Sequence, residues 1–384
     1  MSLSSIGRIG CLLAALSVDL AATPLSIDES AHLSLTSAGS TGGSGGFTID
    51  EGSGLPLNLG SFDIVINPGA TLAANQPAVD AFNRAAARWE QFFSDPITVN
   101  IDADLMSFGS TTILGSASSV ILQGDFDAIR NAMVFDSATD FNDGIVSALP
   151  TFAQFTGSLP TGFSFDSNIS INKANAKALG FTGLDTTFGA TDATISFNTD
   201  LNFDFDNSDG VPFGQFDFET VALHEIGHAL GFTSEVDRID VLLSQSATAA
   251  DISPRTVDLF RFEDGTPNDP STAAEFTTAE RFLQTGGTAI FDEIIEIGID
   301  GAEGLLSTGA NTGNGAQASH WLETFPQIGI LDPFISPGQI GEITPADVRA
   351  LDLIGYDFIP EPGISGLLLA ALGLVFRRNR GISR

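Results

Sequence analysis

The sequence predicts one α+β domain over residues 61–358, and three observations predict it. Short alternating or β-branched runs, Phe62-Asp63-Ile64-Val65-Ile66, Ile97-Thr98-Val99-Asn100-Ile101 and Thr194-Ile195-Ser196-Phe197-Asn198, read as strands. Between the first two, residues 75–93 set Val79, Phe82, Ala86, Trp89 and Phe93 along one helical face, with Pro77 in the first turn. Further on, Val221 to Phe232 reads as a helix that Gly231 allows to turn sharply at its end. Apolar residues make up 43% of the 384, and 31 phenylalanines can fill a core. The core must supply the stability, because Cys11 is the sole cysteine and no disulfide can form within the chain. No internal repeat interrupts this reading.

Taken in order, residues 1–22 carry Arg8, the apolar run Ile9 to Leu16 and the small-residue exit Leu20-Ala21-Ala22, the layout of a secretory signal peptide. Residues 23–60 form a flexible lead-in, rich in Gly and Ser from Ser37 to Gly46. The strand, helix, strand opening of the domain follows. Thr194 to Asn198 is expected at an edge of the sheet, where an extended peptide can add itself as another strand. Asp204-Phe205-Asp206-Asn207-Ser208-Asp209-Gly210 has the oxygen density and terminal glycine of a Ca2+ loop, without the spacing or closing glutamate of an EF-hand. Residues 235–318 read as an insertion with a β-rich piece at 286–291. Residues 359–384 hold Pro360-Glu361-Pro362, an apolar run from Gly363 to Phe376, and Arg377-Arg378-Asn379-Arg380. That run is shorter than the roughly 20 residues that span a bilayer comfortably.

The chemistry concentrates in His224-Glu225-Ile226-Gly227-His228. Positions four apart share a helix face, so both imidazoles can point at one metal ion, with Glu225 beside them as general base. The alternative, a buried helix with two incidental histidines, is weakened by composition: the chain has four histidines, and two of them flank a glutamate at ligand spacing. A catalytic zinc needs a third protein ligand and an open position for water. Six residues after His228 stands Ser234, whose hydroxyl is a poor zinc ligand. Glu235, Asp237 and Asp240 lie nearby, and Glu263 further on. His320, in Gln317-Ala318-Ser319-His320-Trp321, is the strongest candidate, since neutral imidazole suits zinc and only His32 remains otherwise. If residues 23–60 acted as a propeptide, Asp28 or Asp50 would be the groups to hold the metal.

Several segments together resemble a metzincin zinc protease of the leishmanolysin-like kind, in which an insertion separates the HExxH helix from a third histidine. His224 to Phe232 matches the helix, and Ser319-His320-Trp321 the distant ligand. Gly329-Ile330-Leu331-Asp332-Pro333 resembles the Met-turn, and Ile343 to Tyr356 the closing helix. The resemblance implies an upper mixed sheet with helices, the zinc helix as cleft floor, and a large insertion before the third ligand. It implies Zn2+ held by His224, His228 and His320, with Glu225 catalytic. Leu331 stands where methionine is expected, a swap of similar volume. Tyr356, the only tyrosine, falls too late in the chain to face the metal and reads as packing. The C-terminal segment resembles the PEP-CTERM sorting signal of Gram-negative bacteria. It implies transient membrane anchoring, a sorting transpeptidase as partner, and a final place outside the cell or on its surface.

A formal net charge of −33 disfavours nucleic acid and anionic membranes as partners. Three function classes stay open at this point. The first is an exported zinc metalloendopeptidase acting on extracellular or matrix proteins. The second is a surface or biofilm-matrix protein of structural or adhesive role with a degenerate zinc site. The third is a zinc peptidase whose third ligand is a glutamate, for which Glu263 is the candidate.

Overall fold

The computed structural model describes residues 61–138, 143–291 and 304–359, with the backbone of Cys11–Ala15 and Ser34–Leu35. The sorting segment, and the leader and lead-in apart from those two strands, lie outside the described residues.

Alternation builds the main sheet. In Thr98–Met106 the inward positions Val99, Ile101 and Ala103 are buried while their neighbours are half-exposed. The strand order is Phe334–Ile335, Cys11–Ala15, Ile113–Ser119, Ala193–Asn198, Thr98–Met106, Asp63–Pro68. Asp63–Pro68 and Ala193–Asn198 run parallel to Thr98–Met106, and Ile113–Ser119 runs antiparallel to Ala193–Asn198. The sheet is therefore mixed and the class α+β, as the patterning predicts.

The strand expected at the edge, Thr194 to Asn198, is an interior strand instead. It pairs with Thr98–Met106 on one side and Ile113–Ser119 on the other. The missed strand, Ile-Leu-Gly-Ser-Ala-Ser-Ser, is mostly small and polar, so it carries almost none of the β-branched signal by which strands are recognised.

The long helix Gln76–Glu90 starts where Asn75 accepts a hydrogen bond from Ala78 N–H, with proline in the first turn. It buries Ala78, Ala81, Phe82, Ala85, Ala86 and Trp89. Trp89 Nε1 donates to the carbonyl of Leu223 at 2.9 Å, fixing this helix to the central helix Phe218–Leu230. Phe197 of the sheet packs between Phe82, edge to face, and Phe218, tilted, with ring centroids 5.1 and 4.3 Å away. All thirteen residues of Phe218–Leu230 are buried, so this helix is the axis of the core.

The region read as an insertion opens with the helix Val236–Ser244 and contains the antiparallel sheet Arg261–Glu263, Ala289–Phe291, Gly304–Leu306. A smaller sheet joins Ser34–Leu35, Ile121–Asp125 and Asn168–Asn172. Among the described residues no helix is long and apolar enough to cross a membrane.

Candidate metal centre

Local chemistry fixes both ends of the helix Phe218–Leu230. Asp217 caps its start, accepting from Thr220 N–H at 3.1 Å and from the Thr220 hydroxyl at 2.6 Å. Gly231 ends it at φ +134°, where a Cβ would press on Asn175 and Ile354 at 3.2 and 3.1 Å. The Tyr356 hydroxyl donates to Leu230 O at 2.7 Å, so the only tyrosine holds the last turn rather than facing the metal.

Within that frame His224, His228 and His320 are buried and lie close enough to bind one metal ion. The Nε2 atoms of His224 and His228 are 2.9 Å apart, and those of His224 and His320 are 3.1 Å apart. Each Nδ1 faces a backbone carbonyl, His224 that of Ile330 at 2.8 Å, His228 that of Phe232 at 2.8 Å and His320 that of Gln317 at 3.1 Å. A carbonyl only accepts, so Nδ1 carries the proton and each neutral ring turns an Nε2 lone pair inward. Three lone pairs this close repel one another unless a cation sits among them. Burial, followed by the charges of the other two rings, pushes His224 well below the usual imidazole range, and burial brings His228 down to about 4. Both rings stay neutral and ready to ligate at physiological pH.

Glu225 is fully buried, and neither of its carboxylate oxygens has a hydrogen-bond partner among the described residues. Burial alone raises its pKa well above the ordinary carboxylate value. Gly115 of the strand Ile113–Ser119 makes room for it, since a Cβ there would lie 2.7 Å from Glu225 Oε1.

None of the other carboxylates considered as third ligands joins the histidine cluster. Glu235 pairs with Arg238 and Arg255 at 3.0 and 3.2 Å. Asp240 accepts from the backbone N–H groups of Asn311 and Thr312, both at 2.7 Å. Glu263 lies in the insertion sheet opposite Ala289. Ser234, in the position where a nearby third histidine would stand, donates to Asp258 at 2.6 Å.

Asp237 and Ser234 hold the residues that precede His320, a role the sequence reading missed. Asp237 accepts from Ala318 N–H at 2.5 Å and Ser319 N–H at 3.1 Å, and the Ser319 hydroxyl also bonds to it. Ser319 Oγ in turn accepts from Ser234 N–H at 2.9 Å. The turn after the histidine helix is thereby tied to the residue before His320.

Asp347 was also missed. Its buried carboxylate accepts from Trp321 Nε1 at 2.8 Å, Ile330 N–H at 2.8 Å, Leu331 N–H at 3.3 Å and Thr344 N–H at 2.7 Å. The signal was present in Thr344-Pro345-Ala346-Asp347, a capping box at the start of the helix Pro345–Leu353. Leu331 is fully buried against the histidine helix, where a Cβ on Gly227 would meet its Cδ2 at 2.8 Å. It supplies the apolar floor expected of that turn.

The acidic loop at Asp204 is organised by its own hydrogen bonds, Asp206 N–H to Asp204 and Ser208 N–H to Asp206, both at 3.3 Å. No family model matches the chain, and no curated protein or solved structure matches it.

Proposed function

We propose that the protein is an exported zinc-dependent endopeptidase of the metzincin kind, cutting protein or peptide substrates outside the cell. The observation that carries this reading is the convergence of three Nε2 lone pairs beside a buried glutamate whose carboxylate has no hydrogen-bond partner among the described residues. Zinc is the metal assigned because three neutral imidazoles suit it, and nitrogens about 2.0–2.1 Å from a tetrahedral ion lie about 3.3 Å apart. The separations of 2.9 and 3.1 Å between these nitrogens come close to that spacing. When bound, the ion supplies Lewis acidity for the scissile carbonyl and for water.

The protein's own groups do the rest. Nδ1 bonds to Ile330, Phe232 and Gln317 hold the three rings in the ligating tautomer. Glu225 takes a proton from the attacking water and delivers it to the leaving amine nitrogen as the C–N bond breaks. Water is consumed, and a carboxylate and an amine are formed. The raised proton affinity of Glu225 suits the second half of that transfer, because a carboxyl that holds its proton is a competent acid near neutral pH.

Export is read from residues 1–22, and surface sorting through a transient anchor and a transpeptidase from residues 359–384. The charge of −33 fits a soluble protein outside the cell. A Ca2+ ion at Asp204 to Gly210 is proposed on the oxygen-rich sequence and on Asp204 Oδ2, which is buried without a hydrogen-bond partner among the described residues.

The test is hydrolysis of an unfolded protein by the chain beginning at Thr23, with zinc, against Glu225→Gln. Cleavage by the wild type alone, with zinc retained by both, is the expected result. If neither form cuts and neither retains zinc through dialysis, the reading is wrong, and a structural or adhesive surface protein replaces it.

A further inference from the structure

Where the strands Thr98–Met106 and Ala193–Asn198 end side by side, with Leu105 opposite Phe197, the chain leaves the sheet beside an open cavity of about 500 Å³. Part of its wall is aromatic. Phe203 and Phe205 line it, and their rings rest on the buried Phe218 with centroids 5.4 and 5.1 Å away, so the core fixes their positions. Phe213 lines it from the loop 210–214 and is 104% exposed, a whole ring standing in water. The base of that loop is tied down, since Pro212 O accepts from Gln215 N–H at 3.1 Å and Gln215 O from Gly338 N–H at 2.9 Å. The polar lining falls into two groups. Asn75 and Asn198 serve the fold: Asn75 caps the helix Gln76–Glu90, and Asn198 donates to the carbonyls of Ser110 and Ile113 at 2.6 and 2.8 Å. Thr199, Asn202 and Gln215 line the cavity with side chains that hydrogen-bond to none of the described residues. No lining residue carries a charge, in a chain with 48 acidic and 15 basic side chains.

That composition selects the ligand class. A phosphate or carboxylate would meet no cation in the wall, and the net charge of −33 repels it. A metal ion would meet no carboxylate. A wholly apolar ligand would cover the side chains of Thr199, Asn202 and Gln215 and leave them unpaired. A neutral molecule fits when it has an apolar face for the rings and an edge of hydroxyls, because each hydroxyl both donates and accepts, as the two amides and the threonine do. A pyranose ring has such a face and such an edge, and the volume, within the usual range for small-ligand sites, holds more than one sugar unit. We propose that this cavity binds a neutral oligosaccharide, with Phe203, Phe205 and Phe213 against the C–H faces of the sugars and Thr199, Asn202 and Gln215 on their hydroxyls. The site is separate from the metal centre: Phe218, beneath the rings, stands seven residues before Glu225, about 10 Å along the helix axis. Sugar binding does not depend on the peptidase reading. Its use rests on that reading: a glycan held here keeps the enzyme on glycan-bearing material and raises the local concentration of the protein attached to it.

The experiment titrates the full chain with neutral trisaccharides of glucose, mannose, galactose and N-acetylglucosamine, read by ligand-observed NMR and calorimetry. A uronic-acid trisaccharide and a short apolar peptide serve as contrasting ligands. At least one neutral sugar is expected to bind with a Kd of about 1 mM or tighter. Phe213→Ala and Asn202→Ala should each weaken that binding about tenfold or more, whereas Phe135→Ala, which removes an exposed ring that does not line the cavity, should leave it within about twofold. Neither of the first two side chains supports the fold, one being exposed and the other without a hydrogen bond among the described residues, so the unfolding transition should stay in place. The inference is overturned if no neutral sugar binds at up to about 10 mM, or if all three variants bind like the wild type. It is equally overturned if the uronic acid or the peptide binds more tightly than every neutral sugar and loses that affinity in Phe213→Ala. No arm reads hydrolysis, so failure of this site and failure of the peptidase reading are separate results.

Discussion

Replacing Asp347 with alanine should loosen the metal centre from a position that never touches the metal. Its carboxylate receives Trp321 Nε1 and the N–H groups of Ile330, Leu331 and Thr344 at 2.7–3.3 Å. Ile330 presents the carbonyl that orients His224, and Trp321 follows His320 directly. Leaving a buried donor unpaired costs about 1–3 kcal/mol, and the two buried donors with the shortest bonds, Trp321 Nε1 and Ile330 N–H, both at 2.8 Å, put the loss of stability at about 4 kcal/mol. Outer contacts of this kind are worth about 10–100-fold in metal affinity, and with two of three ligands loosened the upper end, about a hundredfold, is expected. Zinc affinity is measured by competition with a chelator, and stability by denaturant unfolding of the metal-free protein. Asp347→Asn keeps one acceptor oxygen and should fall between the two. An Asp347→Ala protein that folds and binds zinc within about threefold of wild type would refute the reasoning, because the clamp would then have no hold on the ligands.

Three further outcomes follow from the same geometry. Gly115→Ala places a Cβ 2.7 Å from Glu225 Oε1, so under the proposed peptidase function hydrolysis should fall by about a hundredfold, the usual cost of displacing a catalytic group by about an ångström, while zinc affinity stays within about twofold. Steady-state kinetics with metal analysis checks both halves. Leu331→Met exchanges side chains of similar volume against the histidine helix and should change stability by less than about 1.5 kcal/mol with activity kept; a larger loss of either would show that the floor is shaped for leucine. Asp332, in the same turn, is raised by burial from 3.8 to about 7, with the nearby Asp347 adding to the shift. A carboxyl raised on folding stabilises while protonated, so its contribution is complete below about 3.8 and is lost as pH rises through about 7. Metal-free wild type should lose about 4 kcal/mol more than Asp332→Asn across that window, at about 1.4 kcal/mol per pKa unit, and equal slopes for the two proteins would contradict the assignment.

The elements legible in the sequence are those built from local periodicity. Gln76–Glu90 announces itself by its apolar face and early proline, and Asp63–Pro68 and Thr98–Met106 by their β-branched alternation. Ile113–Ser119 was illegible because its serines carry little strand propensity and its glycine answers to what lies beneath it, Glu225 and Val221. That omission is why Ala193–Asn198, a strong strand signal, was expected at the edge it does not occupy. Ser234, Asp237 and Asp347 were likewise visible as residues but not as parts of the site. Their partners, Asp258, Ser319 and Trp321, stand 24 to 82 residues away along the chain and are brought to them only by the fold.

By itself the sequence determined the helix that carries His224, Glu225 and His228, because a four-residue step on a helix is a local fact that no distant contact can alter. It also determined that the third histidine had few rivals. What only the tertiary structure decided is that His320, 96 residues beyond His224, completes the cluster, and that Asp237 before it and Asp347 after it hold its neighbours in the chain. The physical reason is that ligand convergence over such a separation depends on how loops close and which buried donors find acceptors. Those quantities belong to the packed core and not to any stretch of chain read alone.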